Sequence, residues 1–316
     1  MSMYSGASVF VAGGTGMIGR HVVDELLQLG ARVRIVVHRR PSPFRGVETL
    51  AGDLRDAETC RRAARGCRFV IHAAGVTGGL KSLTLDPFAT FADNVRLNTN
   101  LLEAARIEGV ERFAFISNTS VYRDTPEPVR EEDCWGDRQG AWEENHTGAV
   151  KRLGELQCRL TARHSPLRIA IVRGGNGYGP GDNFSAETSH VVAALVRKVV
   201  DGPRPLALWG SGETLRDFTH ARDIARGALH MLEQHAESDP VHVATGRSVS
   251  VNEVAGLLLR IVGDEKAAIV HDISAPEGPR AKRIDVSKMK SLGFEPRIPI
   301  EEGLRETVEW YRSHRP

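Results

Sequence analysis

The tightest constraint on the fold is a glycine-rich run near the start of the chain, VAGGTGMIGR, at residues 11–20. The apolar segment Ser8–Ala12 leads into it, and apolar residues at i, i+4 spacing (Ile18, Val22 and Leu26) follow. A chain that turns through several glycines between a strand and a helix is typical of the first unit of a parallel sheet. The pattern therefore predicts an α/β fold that begins here.

Short β-branched segments alternate with helical periods through the first half of the chain, which is typical of a parallel sheet wrapped by helices. We predict a Rossmann-type doubly wound sheet from residues 1–175 and about 219–240, and a smaller C-terminal α/β substrate domain from about 176–218 and 241–316. Strands are expected at Ser8–Ala12, Arg32–Val37, Phe69–Ala73, Arg112–Ser117 and Arg168–Arg173, with a further one before Asp53 and alternation at Val241–Ala244. Helices are expected at Asn94–Glu108, Thr147–Arg163, Ser189–Val200, Val251–Val262 and Ile300–Tyr311, and a long loop at Ser120–Asn145.

Charge and composition narrow the function classes. Lys and Arg number 42 and Asp and Glu 40, which leaves a formal net charge of +2, spread without a basic block. Nucleic-acid and membrane-surface roles therefore have little electrostatic support, whereas small anionic ligands remain open. No apolar run approaches the ~18 residues of a membrane span, and the first residues lack the pattern of a signal peptide, so we expect a soluble, cytoplasmic protein.

The cysteines indicate neither a metal site nor a disulfide framework. Cys60, Cys67, Cys134 and Cys158 form no C-x-x-C pair and lie beside no cluster of histidines. We interpret them as free thiols and expect no metal.

The glycine spacing points to a dinucleotide. Gly13 suits a tight turn, Gly16 lets the backbone approach a pyrophosphate, and Gly19 allows the helix to pack closely on the strand. The N-terminus of the following helix offers N–H groups and a partial positive charge to phosphates. The predicted phosphate-binding residues are Gly13, Thr15, Gly16, Met17, Ile18 and Gly19.

The end of the second strand bears on which dinucleotide binds. An NAD-binding fold normally places an acidic residue there for the ribose hydroxyl, and this chain has His38, Arg39 and Arg40 instead. Two guanidinium groups suit a 2′-phosphate, so NADP(H) is favoured over NAD(H); a merely solvated strand end would leave the choice open. Asp53 and Leu54 are expected beside the adenine, although an exposed acidic loop would also explain Asp53. Further predicted cofactor contacts are Ala73, Ala74 and Gly75.

Motifs along nearly the whole chain resemble the extended short-chain dehydrogenase/reductases, the NAD(P)-dependent sugar-nucleotide epimerases and dehydratases. They are AGGTGMIG, AGDL, IHAAG, NVRLNTNLLEAA, TGAVKRLGE, GNGYGPGDN, GSGETLRDFTHARD and LGFEPRIPIEEGLRETVEWY. Within the family, GDNFSAETSHVVAALVRK and WGSGETLRDF resemble the GDP-fucose synthases. The resemblance implies an epimerase or reductase of a nucleotide-activated sugar, and a homodimer formed through the helices expected at Asn94–Glu108 and Thr147–Arg163.

The chain departs from the family's catalytic pattern. The family helix carries Tyr-x-x-x-Lys, and this sequence keeps Lys151 but has Thr147 in place of the tyrosine. Asn118 occupies the position of the family Ser or Thr that hydrogen-bonds the reacting oxygen. A phenol with a pKa of ~10, lowered by lysine, exchanges protons near neutral pH, whereas a Thr hydroxyl titrates far too high. Thr147 can therefore orient substrate but cannot act as the acid.

Two histidines are candidate replacements for the missing acid. His146 has an ordinary pKa of ~6.5, but one residue along a helix is a rotation of ~100°, so a partly exposed histidine without a role stays open. His190 matches the acid/base histidine of the GDP-fucose synthases, and a helix-packing role is equally open. The partner cysteine of that histidine corresponds to Ser120, which weakens an epimerase interpretation.

The substrate side is expected to carry basic residues. Arg216 matches the family arginine on a nucleotide diphosphate, and arginine suits bidentate contact with phosphate. Surface charge would also account for these basic side chains. The predicted substrate-binding residues are Ser120, Asn176, Arg197, Arg216 and Arg280, with Lys198 beside Arg197.

Three functions follow from these residues. The first is an NADP(H)-dependent epimerase or reductase with an atypical proton relay. The second is a redox-neutral elimination or rearrangement with a transiently used or structural cofactor. The third is a catalytically silent binding protein. Lys151, Arg216 and the glycine run favour the first two.

Overall fold

The computed structural model describes residues 2–38, 40–76, 86–122, 125–135, 146–274 and 282–315. Two predicted site residues, Arg39 and Arg280, lie outside the described residues, as does the end of the expected loop, residues 136–145.

The described residues form a large parallel sheet and several small ones. The strands are β1 (Ser8–Ala12), β2 (Arg32–Val37), β3 (Glu48–Ala51), β4 (Phe69–His72), β5 (Arg112–Asn118), β6 (Thr125–Val129), β7 (Arg168–Gly174), β8 (Asn176–Tyr178), β9 (Leu206–Trp209), β10 (Leu215–Arg216), β11 (Phe218–His220), β12 (Val241–Val243), β13 (Val249–Ser250), β14 (Ile269–Asp272) and β15 (Lys282–Ile284). The helices are α1 (Met17–Gln28), α2 (Ala57–Ala64), α3 (Pro87–Ile107), α4 (His146–Arg163), α5 (Val191–Asp201), α6 (Ala221–Gln234), α7 (Val251–Ile261), α8 (Ser287–Ser291) and α9 (Ile300–Ser313).

The large sheet has seven strands within the described chain, in the order β12-β7-β5-β4-β1-β2-β3. Every neighbouring pair is parallel. The order runs outward in both directions from β1 and β4, as in a doubly wound fold, in which ligands bind at the carboxyl ends of the strands. The predicted fold class is confirmed.

Apolar layers cover both faces of this sheet. On one face, Val22 of α1 and Leu229 of α6 pack on the buried strands. On the other, Cys60 of α2, Leu101 of α3 and Cys158 of α4 form the second layer. A third core joins α5, α7 and α9. The described residues within 176–218 and 244–316 are here called the C-terminal lobe. Both faces of the parallel sheet are therefore buried, which leaves the carboxyl ends of its strands as the edge where a ligand can bind.

Several element boundaries differ from the sequence predictions. Helix α3 begins at Pro87, seven residues before the expected Asn94, because the Asp86 side chain accepts a hydrogen bond from the Ala89 N–H at 2.9 Å and proline suits the first helical turn. The expected loop Ser120–Asn145 contains β6 and two short 3-10 segments in its described part. Strand β12 adds to the edge of the large sheet, beyond the expected end of that domain near residue 240.

Three further observations concern membrane spans, metal ligands and cysteines. No helix among them is long and apolar enough to cross a membrane. Within the same ranges, no group of His, Cys, Asp and Glu side chains could hold a metal ion. All four cysteines are buried free thiols, which confirms that prediction.

Candidate cofactor and active site

The glycine run joins β1 to α1 and leaves no room for side chains. Gly13 has a φ of +81°, and a Cβ there would lie 2.7 Å from Cα of Ala74 in the loop after β4. A Cβ at Gly19 would collide with the carbonyl oxygen of Gly13, so α1 packs directly on the turn. Gly16 caps α1 without a side chain, which leaves the first helical N–H groups for a phosphate. This cradle fits a dinucleotide pyrophosphate. The turn and the first turn of α1 contain the predicted residues Gly13, Thr15, Gly16, Met17, Ile18 and Gly19.

Charged groups cluster at the end of β2. The carboxylate of Asp53 lies 2.6 Å from the guanidinium of Arg55 and 3.7 Å from Nε2 of His38. The hydrogen bonds from Arg55 lower the pKa of Asp53 to about 2. Arg40 is exposed, and Leu54, which follows Asp53 in the chain, is buried. Asp53, the acidic residue that the sequence analysis predicted beside the adenine, is therefore already ion-paired.

The loop after β4 is held against the glycine turn. Ala73 donates its N–H to the carbonyl of Ala12 at 2.9 Å. Three residues on, the amide of Asn94 clamps Val76, accepting from its N–H and donating to its carbonyl, both at 2.9 Å. The loop that holds the predicted contacts Ala73, Ala74 and Gly75 is thus fixed at both ends. This clamp gives Asn94 a structural role.

Lys151, the predicted catalytic lysine, is tied to the inner strand β5. The ammonium of Lys151 donates to the carbonyl of Ile116 at 2.9 Å and lies 5.2 Å from the ring centre of Phe115. Burial lowers the pKa of Lys151 to about 8. Thr147 lies one turn earlier on α4 and is exposed, so both residues lie on the same face of the helix. The helix register inferred from the motif therefore puts Thr147 and Lys151 one turn apart on the helix that packs against β5.

A glycine lets α4 approach the sheet this closely. A Cβ at Gly154 would lie 2.5 Å from Cζ of Phe115 and 2.8 Å from Nδ2 of Asn98. Behind this contact, Nε2 of His72 is 2.8 Å from Oδ1 of Asn98. Burial lowers the pKa of His72 to about 3, which keeps this ring neutral. The pair packs the helix without adding charge beside Lys151.

The other predicted catalytic side chains, Asn118, His146 and His190, differ in their hydrogen-bond partners. The Oδ1 atom of Asn118 accepts hydrogen bonds from both the N–H, at 3.0 Å, and the hydroxyl of Ser120. His146 begins α4, and its buried Nε2 has no hydrogen-bond partner among the described residues. Nδ1 of His190 lies 3.3 Å from Oδ1 of Asp182, and this hydrogen bond raises the pKa of His190. His190 is half exposed at the start of α5.

Basic and aromatic side chains lie on the C-terminal lobe, where the sequence analysis predicted substrate binding. Arg216, at the end of β10, is half-buried and donates to the carbonyl of Leu215 at 2.7 Å. The ammonium of Lys198 donates to Ala207 at 2.8 Å and lies 5.5 Å from the ring centre of Trp209, which is 62% exposed. Arg197 is partly buried, with no partner for its Nε among the described residues.

Two further residues complete this side of the site. Asn176 lies on β8 and donates its N–H to the carbonyl of Asp217 at 2.7 Å. The buried carboxylate of Asp217 accepts from the N–H groups of Thr245, at 3.0 Å, and Gly246, at 2.7 Å. Both carboxylate oxygens of Asp217 are therefore hydrogen-bonded within the protein. They tie the residue after Arg216 to the loop after β12.

A buried polar network behind Asn118 was missed by the sequence analysis. Arg173 donates two hydrogen bonds to the carboxylate of Glu155, at 2.9 and 2.6 Å, and another to the hydroxyl of Tyr122. Ser117 also donates to Glu155, at 2.6 Å, and Tyr122 lies 2.6 Å from Nε2 of His242. The available signal was an arginine inside an otherwise apolar strand segment, RIAIVRG. Trp209 was likewise not selected, although its motif was recognised.

The structure brings one group of predicted residues to a single edge. The glycine turn, the Ala73 loop, Asn118 and Lys151 follow or flank the carboxyl ends of β1, β4 and β5, which are neighbours in the sheet. A cavity of about 720 Å³ lies elsewhere, lined by Tyr4, Glu25 and His230 among others, and contains none of the predicted site residues. We place the site at the carboxyl edge because parallel α/β sheets bind ligands there.

Comparison with known proteins identifies the family of the chain. The NAD dependent epimerase/dehydratase family matches residues 9–245. A probable GDP-L-fucose synthase 1 from Oryza sativa subsp. japonica is 30% identical over 315 residues, covering 97% of this chain and 92% of the relative. A dTDP-4-dehydro-6-deoxy-D-allose reductase from Streptomyces is 31% identical over 327 residues, covering 99% and 98%.

A solved structure supports the fold. The crystal structure of the Thermotoga maritima UDP-glucose 4-epimerase with UDP-glucose matches with a TM-score of 0.82 at 27% identity, covering 97% of this chain and 99% of that chain. The family match spans well over half of the chain. The chain is therefore an enzyme of the NAD dependent epimerase/dehydratase family, of the extended short-chain dehydrogenase/reductase type.

Proposed function

We propose that the protein is an NADP(H)-dependent reductase or epimerase of a nucleotide-activated sugar in which residue 147 is not the proton donor. The observation that carries the proposal is the placement of Lys151 and Thr147 on one face of α4, with the lysine bound to the carbonyl of Ile116. The family's cofactor-binding framework is kept, and its phenol is replaced by a hydroxyl.

The cofactor preference rests on the end of β2. Asp53 is paired with Arg55, so it is poorly placed to accept a hydrogen bond from a ribose hydroxyl. Arg40 is exposed at the same end of the sheet and suits a 2′-phosphate. NADP(H) is therefore the proposed cofactor, and when bound it supplies or accepts the hydride.

The proton relay needs a group other than Thr147. General acid–base help is worth about 10²–10⁴-fold, or roughly 3–5 kcal/mol, whereas positioning of the reactants can be worth ~7–11 kcal/mol. Losing the phenol therefore slows the reaction without removing hydride transfer. His190, whose pKa is raised by Asp182, and the partly buried His146 are the proposed donors, directly or through water.

The substrate proposal rests on the C-terminal lobe. Arg216 and Arg197 supply guanidinium groups for a diphosphate, and the exposed ring of Trp209 offers a flat face to a base. The relatives are named for GDP-linked and dTDP-linked deoxysugars. We therefore place the substrate among nucleoside-diphosphate-linked dehydro-deoxyhexoses.

The proposed assembly is a homodimer through α3 and α4. Leu156 and Leu160 form an exposed apolar pair on α4, at 41% and 48% exposure. The side chains of Gln157 and Thr99 are hydrogen-bonded at 2.6 Å, so the two helices present one joint face. An apolar stripe on paired helices suits a second copy of the same pair.

The test is oxidation of NADPH in the presence of GDP- and dTDP-linked 4-dehydro-6-deoxyhexoses, with NADH as the comparison. We expect stoichiometric oxidation of NADPH with at least one of the two sugars. The Thr147 and Asn118 replacements favour a redox-neutral elimination or rearrangement as the second candidate. A sugar that loses water or is rearranged without net NADPH consumption would establish that candidate instead. A sugar inverted at a ring carbon without NADPH consumption would indicate the epimerase, and tight binding of both ligands without any product would indicate a binding protein.

A further inference from the structure

The backbone that follows β5 is held from two sides. Residues 118–122, here called the Asn118 turn, contain one 3-10 turn, capped by the side chain of Asn118. The carbonyl of Val121 accepts from Nε of Arg152 on α4 at 2.7 Å. Because Arg152 follows Lys151 in the chain, this bond ties the turn to the catalytic helix.

The second hold comes from the C-terminal lobe. The ammonium of Lys282, the first residue of β15, donates to the carbonyl of Thr119 at 3.1 Å and to that of Tyr122 at 3.2 Å. Strand β15 pairs in parallel with β6, which begins at Thr125 just beyond the turn. One cation therefore closes the Asn118 turn from the lobe that carries the proposed nucleotide-binding residues.

A buried chain of hydrogen bonds connects the same elements. Nδ1 of His242 lies 2.7 Å from the carbonyl of Asp285, so this nitrogen carries the proton and Nε2 accepts from the hydroxyl of Tyr122. The oxygen of that hydroxyl accepts from Arg173, which is paired with Glu155 on α4. Burial lowers the pKa of His242 to about 4, which keeps it in this neutral form. The Asn118 turn is thus linked to residues 282–285 on two sides.

We propose that Lys282 is a positioning residue for the reaction: its two hydrogen bonds to the Asn118 turn hold Asn118 and Ser120 in register with Lys151. The inference rests on the proposed function. Its consequence is that removing the ammonium lowers turnover while leaving the dinucleotide cradle, at the far side of β4, unaffected. A displacement of about 1 Å at reacting groups can cost ~100-fold in rate, so the loss should be about 10- to 100-fold.

The experiment compares Lys282→Met, which keeps most of the apolar stem, with Lys282→Arg, which keeps the charge. Lys266→Met, at an exposed position in the same lobe, is the control. Three quantities are measured for the full-length protein: kcat and KM with NADPH and the faster of the GDP- and dTDP-linked 4-dehydro-6-deoxyhexoses, the Kd for NADPH, and hydrogen exchange of the Ser120 and Tyr122 amides. These amides report on the turn because they donate to Asn118 and Thr119.

We expect Lys282→Met to lower kcat and to leave the Kd for NADPH unchanged. Exchange of the two amides should become faster by about tenfold or more, because that factor corresponds to the loss of a hydrogen bond to a charged group. Lys282→Arg should restore most of kcat. Unchanged exchange in Lys282→Met, or a Kd for NADPH that weakens as much as kcat falls, overturns the proposal. If the parent converts neither sugar, the proposed function fails, and amide exchange together with NADPH affinity still decides whether Lys282 holds the Asn118 turn.

Discussion

The ammonium of Lys151 is bound to the carbonyl of Ile116, two residues before Asn118 at the end of β5. This hydrogen bond ties α4 to β5, together with the close packing of Gly154 on Phe115. It also places the charge where burial lowers its pKa to about 8, close enough to neutral pH for the lysine to titrate in ordinary buffers.

Turnover should fall as the pH rises through about 8, because the charged form of Lys151 is then lost. The effect on stability has the opposite sign. The pKa of Lys151 in the unfolded chain is about 10.5, so between pH 8 and 10.5 the unfolded state binds more protons than the folded state. The free energy of unfolding therefore rises with pH in that window. Lys151→Met should remove both dependences. A pH–rate profile of the parent, with urea unfolding of parent and variant at pH 7.5 and 9.5, checks this. An identical slope in both proteins would refute it.

Thr147→Tyr should raise kcat by at least about tenfold, because a phenol beside Lys151 restores a proton donor whose help is worth roughly 10²–10⁴-fold. Thr147 is exposed, so the ring has an open side to occupy. Thr147→Val removes the hydroxyl at nearly constant volume and serves as the control, with kcat close to that of the parent. A rise in KM without a rise in kcat for Thr147→Tyr would mean that threonine makes room for the substrate.

The sequence was sufficient for the parts of the site with a local pattern. The glycine turn follows from the spacing of Gly13, Gly16 and Gly19, and the position of Lys151 follows from the helix register. The structure agrees on both because each depends on neighbours in the chain. The start of α3 also had a local signal, Asp86 before Pro87, but the helical period before Asn94 was too weak to extend the prediction.

The remaining contacts join residues that are distant in the chain. Glu155 and Arg173 meet through adjacent packing of α4 and β7, and Lys282 reaches Thr119 across 163 positions. Nothing in a single sequence pairs such residues, since their partners depend on how the two lobes pack. The pairing of Asp53 with Arg55 is different, because these residues are only two positions apart; it depends on the conformation of the turn after β3, which the sequence pattern did not specify.

Gly19→Ala should abolish binding of either dinucleotide and lower the free energy of unfolding by about 1–3 kcal/mol, because the added Cβ collides with the carbonyl of Gly13 and pushes α1 off the turn. Gly256→Ala is the matched control: its Cβ would have nothing within 4 Å, and alanine favours the helix, so stability should be equal or higher by about 0.5–1 kcal/mol. Intrinsic-fluorescence titration with NADPH and thermal unfolding test both. Normal NADPH affinity in Gly19→Ala would place the cofactor elsewhere.

Arg40→Ala should weaken NADPH more than NADH, by roughly tenfold or more, because a hydrogen bond to a charged group is worth about 1.5–3 kcal/mol and NADH lacks the 2′-phosphate. Arg32→Ala, at the other end of β2, should leave both affinities unchanged. Calorimetry with each dinucleotide gives the ratio directly. Equal losses for NADPH and NADH would show that Arg40 does not select the phosphate.

Arg216→Ala should weaken binding of GDP, UDP and dTDP by a similar factor, about 10- to 100-fold, because a diphosphate is common to all three and its charge-assisted contact is worth roughly 1.5–3 kcal/mol. Trp209→Leu should act differently: it removes a flat exposed ring, so it should change the order of preference among the bases and have less effect on their common diphosphate. Arg260→Ala, an exposed arginine at the end of α7, is the control for loss of positive charge in the same lobe. Calorimetric titration of the three nucleotides into each variant separates the roles. If Arg216→Ala binds all three as tightly as the parent, the diphosphate lies away from β10.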